Sequence, residues 1–344
     1  MSKFVVRRVA QMILVLFIVS VIIFMGVRAI PGSPFEREKP LQPQVIERLK
    51  EKYNLDAPVH IQYLDYMGDI LIPRLESGDT AATFAEGDYL INIQLPIGEH
   101  GLYFRWMNFG PSYRGLGSRT VNEIFRDFLP TSIQLGLASV SVAVAIGVPL
   151  GIIAALRRNT IVDYSAMGVA IFGVSVPAIV LGPILRYVFG VELGWFPVVW
   201  SAEGFPYYAR FILPATALGF SSSALIARLT RASMLQVLDE DYMDTARAKG
   251  LHERRVILVH AMRNSLIPVV TTLGPLLAFL LTGTFVVETI FGIPGLGRYF
   301  VTSFTNRDYP VIMGVFMLLA LFIVVANMVV DFTYAWLDPR IRYS

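Results

Sequence analysis

The apolar residues of the chain are gathered into six long, nearly uncharged runs that are separated by polar segments. A helix needs roughly 20 apolar residues to cross the hydrocarbon core of a bilayer. We therefore predict an all-α polytopic membrane protein with about six transmembrane helices, the fourth of which is crowded at its end by Arg228 and Arg231. The runs cover residues 9–30, 131–156, 164–190, 211–227, 266–290 and 310–336.

The first run is longer than the apolar part of a signal peptide and is followed by "RAIPGSPF" (28–35), which has no A-x-A cleavage pattern. This pattern favours a retained first helix. Residues 1–30 are therefore interpreted as a tail with helix 1, residues 31–130 as a separate domain between helices 1 and 2, and residues 131–344 as a five-helix core.

Positive charges concentrate in segments that share one side of the membrane if the six runs alternate in direction. By the positive-inside rule, this side is the cytoplasm, which places both termini there and residues 31–130 outside. The short opposite loop at 191–209 holds no Lys or Arg. The charges that decide the orientation are Lys3, Arg7, Arg8, Arg157, Arg158, the basic residues of 228–264, Arg340 and Arg342.

Residues 31–130 carry patterns of regular structure. Apolar residues at helical spacing predict helices over 43–55 and 58–71, and a partial alternation predicts a short strand over 89–97. The stretch 108–117 is rich in turn-forming residues. A small ordered extracytoplasmic domain is the expected result.

The segment 239–264 is basic and has helical periodicity that is interrupted once, at Gly250. Gly250 can adopt the left-handed conformation that ends a helix, so we predict two helices with Leu251, Val256, Val259 and Met262 facing inward. Two interpretations of this cytoplasmic helix pair are equally open on composition. It binds anionic lipid headgroups, or it docks on a protein partner.

Several motifs of this chain resemble, in order and spacing, the permeases of ATP-binding cassette importers, in particular the dipeptide/oligopeptide/nickel branch. The resemblance covers most of the chain. It rests on "LPTSIQLGLASV" (129–140), "IGVPLGIIAALRR" (146–158), "SVPAIVLGPIL" (175–185), "LGWFP" (193–197), "LPATALG" (213–219), "ARLTRASML" (227–235), "ARAKGL" (246–251), "HAMRNSLIP" (260–268), "ETIFGIPGLGR" (288–298), "NRDYPVIMG" (306–314) and "LDPRIR" (337–342).

The resemblance implies that 239–264 is a coupling segment that docks in a cleft of an ATPase subunit. It implies as partners a second homologous permease, two ATPases that bind ATP and Mg, and an extracytoplasmic solute-binding protein, all at a bacterial or archaeal inner membrane. Nucleic acid is not an expected partner. The residues expected to contact the ATPase are Tyr242, Ala246, Gly250 and Leu251 by packing, and Asp244, Arg247, Lys249 and Arg254 by polar contact.

The segment after the fifth run supplies a second set of candidates. Glu288 lies at the outer end of that run, and we expect it to order the following loop, with Gly292, Pro294 and Gly295 as further gate or outer-loop residues. An interfacial carboxylate without a special role is the alternative.

Enzyme and cofactor chemistry has little support in the sequence. The chain has no G-x-x-x-x-G-K-[ST] loop, no cysteine, and four histidines without metal-like spacing, so we expect no catalytic site, metal or cofactor in this chain itself. The expected solute is a dipeptide or oligopeptide, while nickel and oligosaccharides stay open because residues 72–107 are longer than in typical dipeptide permeases. An ion-coupled secondary transporter is a further alternative, which the lack of acidic residues near span centres disfavours.

Overall fold

A computed structural model of the protein describes residues 2–30, 35, 43–77, 88–95, 102–114 and 119–337, without the side chains of 2–5, 43, 49, 52, 281–284 and 330–337. Within these ranges, four single helices are long and apolar enough to cross a membrane, and up to six spans result if each of two bent helix pairs counts as one. The predicted motif at 337–342 lies almost wholly outside the described residues.

The helices follow the predicted apolar runs closely. We number them α1 (Ser2–Arg28), α2 (Pro43–Lys52), α3 (Val59–Leu71), α4 (Val121–Leu156), α5 (Ile161–Ser175), α6 (Ala178–Glu192), α7 (Ala209–Leu238), α8 (Asp241–Ala248), α9 (Glu253–Ser265), α10 (Ile267–Phe291), α11 (Leu296–Thr305) and α12 (Tyr309–Leu337). The chain divides into two compact units, the first formed by residues 1–10, 131–297 and 321–344, and the second by residues 11–130 and 298–320.

The third apolar run is not one straight helix. α5 and α6 meet at an angle of 101°, and Val176 between them is extended, with φ −98° and ψ 108°. The residue before a proline is pushed out of the helical region, and Pro177 then starts α6. The predicted third run therefore consists of a bent helix pair, which counts as one span if both helices cross the membrane together. The last part of α6, Arg186–Glu192, is a π-helix.

In the first unit, α4 and α7 cross with their backbones close together. A side chain at Gly151 would lie 2.5 Å from Thr230 Cβ, and one at Gly219 would lie 2.4 Å from the carbonyl oxygen of Ser139. Small residues allow this approach, which brings van der Waals contact and is common where helices pack in membranes. The neighbouring core includes Leu135, Ala143, Leu218 and Ile226, which are all buried, together with buried residues of α10.

The second unit contains a three-stranded antiparallel sheet that adds a β element to the predicted all-α fold. The strands β1 (Arg74–Ser77), β2 (Ile91–Leu95) and β3 (Leu102–Trp106) are ordered β1-β3-β2, with Leu75 and Ile93 both opposite Phe104. The predicted strand over 89–97 is confirmed as β2, and the helices predicted over 43–55 and 58–71 are confirmed as α2 and α3.

The core of the second unit is built from aromatic rings that pack around a buried carboxylate. Phe24 of α1, Phe35, Tyr113 and Tyr309 belong to one apolar cluster. Asp308, 3% exposed, accepts hydrogen bonds from the backbone N–H of Tyr113 at 3.1 Å and of Arg114 at 3.3 Å. Burial raises the pKa of the Tyr113 phenol, which therefore stays protonated.

Candidate functional site

The segment 239–264 folds as the predicted pair of short helices. α8 ends at Ala248, and Gly250 follows in the left-handed region with φ +73°. His252 precedes α9, and its Nδ1 accepts a hydrogen bond of 3.3 Å from the backbone N–H of Arg254. The histidine therefore caps α9, because it satisfies one of the N–H groups that a helix start leaves unpaired.

The two helices are fixed to the chain by an apolar cluster on their inner side. Met243 and Val256 are fully buried, and they pack with Met234 at the end of α7 and Ala155 at the end of α4. Ala246 is 6% exposed and belongs to the same cluster. The methyl group of Ala246 is thus covered by its own chain, and its contact with a partner stays a prediction.

Leu251 is half-buried against this cluster, so only part of its side chain is accessible. Val259 is 52% exposed, and the prediction that it faces inward is wrong. The reason is that Val256–Ala261 is a π-helix, in which residues five apart share a face. Val256 and Ala261 are the residues that are buried.

Polar contacts tie the two helices to each other on the outer side. The amide of Asn264 donates to the hydroxyl of Tyr242 at 2.8 Å. Arg247 lies between two carboxylates, with Asp244 at 3.1 Å within α8 and Glu253 at 3.6 Å across Gly250. These contacts make α8 and α9 one block that cannot change its turn without breaking them.

The outward surface of this block is charged. Asp244 has 82% of its side chain exposed, and Lys249, His252 and Arg254 are exposed around the glycine turn. Gly250 itself is exposed, and a side chain added there would meet nothing within 4 Å. The turn therefore needs glycine for its backbone conformation, and it leaves a shallow, open surface next to the charges.

The second candidate site is the loop after α10, which is organised around a buried carboxylate. Glu288 is 0% exposed, and its Oε1 accepts a hydrogen bond of 2.7 Å from the Ser132 hydroxyl. The same Ser132 oxygen accepts from the backbone N–H of Leu296 at 2.8 Å. Glu288 and Ser132 thus connect the end of α10, the start of α11 and α4.

The three loop candidates have different surroundings. Gly292 ends α10 in the left-handed region with φ +63° and is exposed. Pro294 is partly exposed, whereas Gly295 is buried, and a side chain at Gly295 would lie 2.2 Å from Glu288 Cδ. The carboxylate therefore occupies the space that the missing side chain of Gly295 leaves.

The structure also shows how the end of α10 is capped, which sequence patterns did not indicate. Arg186 donates a hydrogen bond of 2.7 Å to the carbonyl of Ile290, and the backbone N–H of Trp200 donates to the carbonyl of Phe291 at 3.0 Å. These two donors satisfy carbonyls that the end of α10 would leave unpaired. The position of Ser132 was equally hidden, because it lies 156 residues from Glu288.

A buried ion pair joins α5 to α7. Arg231 donates two hydrogen bonds of 2.7 Å to the two oxygens of Asp163, which is 1% exposed. Asp163 also accepts from the backbone N–H of Asn159 at 3.0 Å. Such a bidentate pair fixes the relative position of the two helices. Among the described residues, no group of three or more His, Asp or Glu residues could hold a metal ion.

Long apolar helices, with an exposed and charged pair of short helices beside their ends, define the class of polytopic membrane proteins. The family described as "Binding-protein-dependent transport system inner membrane component" matches residues 147–343, and its N-terminal component matches residues 1–84. The chain belongs to this family of binding-protein-dependent transport permeases, whose members are subunits of ATP-binding cassette transporters and are not themselves catalytic.

Curated relatives match over the whole length. The chain is 38% identical to the dipeptide transport system permease protein DppB of Bacillus subtilis, over 99% of this chain and 98% of the relative. It is also 38% identical to the oligopeptide permease OppB of Salmonella typhimurium and to the glutathione permease GsiC of Escherichia coli, in both cases over 100% of each chain.

A solved structure with the same fold is the MetNI methionine ABC transporter in an inward-facing conformation. It aligns with a TM-score of 0.51 at 15% identity and covers 62% of this chain and 96% of the matched chain. The family and the apolar helices together make this chain a multi-pass inner-membrane protein.

Proposed function

We propose that this chain is the pore-forming permease subunit of an ATP-driven importer of dipeptides or oligopeptides. The observation that carries the proposal is the full-length similarity, at 38% identity, to permeases named for dipeptide and oligopeptide transport. The glutathione permease among the relatives is also named for a short peptide. Nickel and oligosaccharides are the competing solutes.

The partners follow from the same family. A second homologous permease completes the pore, two ATPase subunits bind ATP and Mg, and an extracytoplasmic binding protein delivers the solute. The chain has no phosphate-binding loop of its own, which supports the assignment of ATP hydrolysis to the partner chains. In this arrangement both termini and the coupling segment lie in the cytoplasm, and residues 31–130 lie outside.

The geometry of α8 and α9 supports a coupling role for residues 239–264. A segment that transmits motion has to be stiff, and the buried cluster around Met243 and Val256 makes it so. It also has to present a distinctive surface. Tyr242, Gly250 and the accessible part of Leu251 form its apolar part, and Asp244, Arg247, Lys249 and Arg254 form its charged part. Headgroup binding is the alternative for these charges.

The loop around Glu288 supports a second role at the other end of α10. Its backbone is held by Ser132 and by the cap that Arg186 and Trp200 form. We expect Gly292, Pro294 and Gly295 to be presented in a fixed conformation at the outer mouth of the pore, where the binding protein releases the solute.

The test of the solute is uptake by the assembled importer in proteoliposomes, with di-, tri- and pentapeptides, nickel and an oligosaccharide as the panel. We expect ATP-dependent uptake of peptides only. Uptake of nickel or the sugar instead would overturn the peptide assignment. Peptide uptake driven by an ion gradient without ATP would overturn the importer class.

The coupling role gives a first prediction, for Gly250→Val. A β-branched residue at φ +73° costs about 1–2 kcal/mol, so the turn between α8 and α9 is expected to rearrange. The ratio of peptide imported to ATP hydrolysed should fall several-fold. Gly204→Val is the matched control, because Gly204 is exposed, has φ +83° and also has nothing within 4 Å of an added side chain. Equal ratios in the two variants would contradict the coupling role.

A further inference from the structure

Helix α3 lies between the first and second predicted spans, in the segment that the sequence assigns to the extracytoplasmic domain. Its residues nevertheless contact α1 far from the end of that helix. The Tyr63 hydroxyl and the Ser20 hydroxyl are 2.7 Å apart, and the ring of Tyr63 packs edge-on against the rings of Phe17 at 6.5 Å and Phe24 at 5.1 Å.

The depth of these contacts follows from the geometry of α1. The helix carries Arg8 near one end and Arg28 at the other. The 20 residue steps from Arg8 to Arg28 span about 30 Å at 1.5 Å per residue, which is the thickness of a hydrocarbon core. Ser20 is eight residues from Arg28, which corresponds to about 12 Å along the helix. The side chain of Tyr63 therefore reaches well inside the hydrocarbon zone, and the backbone of α3 lies near its boundary.

The side chains of α3 divide into three stripes. The first faces the protein and contains Tyr63, Tyr66, Met67 and Ile70, of which Met67 is 8% and Ile70 is 4% exposed. The other two stripes differ in chemistry, and Gln62 in the second stripe accepts a hydrogen bond from Arg28 at the end of α1.

The second stripe is polar. Gln62 donates to the carbonyls of Leu55 and Ala57 at 2.9 and 2.7 Å, and Asp65 accepts from Asn54 at 3.3 Å. This stripe is the side of α3 that faces water and the polar part of the second unit.

The third stripe is apolar and exposed, and we call it the outward stripe. It consists of Ile61, Leu64, Leu71 and Ile72, which are 39%, 65%, 58% and 63% exposed. Spacings of three and seven residues place Ile61, Leu64 and Leu71 on one side of the helix. Ile72 follows the helix in an extended conformation, and its Cδ1 would lie 4.0 Å from a side chain added at Gly68 on the same side. Leu75 on β1 and Ile93 on β2 are further exposed apolar residues of the second unit, at 63% and 51%.

We propose that the outward stripe is a lipid-contacting surface and that α3 is an interfacial helix embedded in the bilayer beside α1. A helix with one protein-facing, one polar and one apolar stripe fits the interface plane, where the apolar side enters the acyl region by about 5–10 Å. The stripe contains no charged residue, which fits acyl chains and not headgroup phosphates as its occupant.

Contact of the outward stripe with lipid requires only that α1 spans the membrane. The placement of the stripe in the outer leaflet rests on the topology proposed above, in which residues 31–130 lie outside. Failure of the peptide assignment would leave the lipid contact untouched. Burial in lipid also explains why the apolar side chains of the outward stripe are not packed into the core of the second unit.

The test uses the absence of cysteine from the chain. A nitroxide is attached to Leu64→Cys in the outward stripe or, as the matched control, to Asp65→Cys in the adjacent polar stripe. Each variant is reconstituted in the assembled importer in liposomes, and peptide uptake is measured to show that it is folded. Spin-label relaxation by oxygen, which concentrates in lipid, is compared with relaxation by a water-soluble nickel chelate.

At position 64 we expect strong relaxation by oxygen and weak relaxation by the nickel chelate, with the reverse at position 65 and no change when the binding protein is added. Strong relaxation by the chelate at position 64 would overturn the proposal. Shielding from both agents, before or after addition of the binding protein, would also overturn it, since a protein partner would then cover the stripe. Ile61→Cys serves as a second site if Leu64→Cys does not assemble.

Discussion

At the scale of single residues, the most constrained group is the carboxylate of Glu288. It is fully buried, it fills the space beside Gly295, and Ser132 links it to the N–H of Leu296. A buried polar group is costly unless it is hydrogen-bonded, so the hydroxyl of Ser132 stabilises both of its neighbours.

We therefore predict that Ser132→Ala lowers stability by about 1–3 kcal/mol, because Glu288 loses a donor and Leu296 loses an acceptor in a buried place. Thermal unfolding in detergent measures the effect. Ser141→Ala is the control on the same helix, since the Ser141 hydroxyl is exposed and bonds only to the carbonyl of Leu137. If both variants unfold at the same temperature, Ser132 does not stabilise the protein through Glu288 and Leu296.

The sequence indicates single residues well when their role is local. Gly250 was predicted to end a helix because it follows a helical pattern, and its φ of +73° confirms this. The partner of Glu288 could not be predicted, because the contact joins residues 156 positions apart and leaves no local pattern. The cap of α10 by Arg186 was hidden for the same reason.

At the scale of elements, apolar runs predicted the helices, but they did not predict the helix geometry. Periodicity assumes 3.6 residues per turn, and the π-turn Val256–Ala261 breaks this assumption, so Val259 is exposed and Ala261 is buried. The bend between α5 and α6 follows from Pro177, whose effect on the preceding residue is readable from sequence. A proline does not always break a helix, however, because Pro214 lies inside the continuous α7.

The ion pair between α5 and α7 gives a prediction at this scale. Asp163→Asn is expected to lower stability by about 2 kcal/mol, less than for a fully buried pair because 28% of the Arg231 side chain is exposed. Asp239→Asn is the control, since Asp239 and Arg158 are 4.0 Å apart and largely exposed, and we expect little change there. Thermal unfolding of both variants at low and high salt distinguishes the two ion pairs. Equal losses of stability in the two variants would show that burial of Asp163 does not matter.

At the scale of the whole molecule, the number of membrane crossings depends on whether the bent helix pairs span the bilayer. Within the described ranges, four helices are long and apolar enough to span the membrane alone, and two bent pairs decide whether there are more spans. Between Asp65 in α3 and Lys249 beside Gly250, the chain crosses the membrane three times if α5 and α6 together form one span. It crosses twice if that pair is re-entrant.

We predict three crossings, so residues 65 and 249 lie on opposite sides. In intact cells freed of their outer barrier, a membrane-impermeant maleimide should label Asp65→Cys, and it should label Lys249→Cys only after the membrane is permeabilised. The cysteine-free parent chain is the control for background labelling. Labelling of both variants from the same side would show that the α5–α6 pair does not cross.

The close crossing of α4 and α7 has a mechanical consequence. At Gly151 and Gly219 the backbone of one helix lies against backbone and Cβ atoms of the other, so only thin side-chain packing separates the two helices there. α7 continues, through Asp239 and Glu240 alone, into α8. We therefore expect that a displacement of α8 moves α4 and α7 together as one rigid body. Bending within the first unit is then expected only at its bent helix pairs.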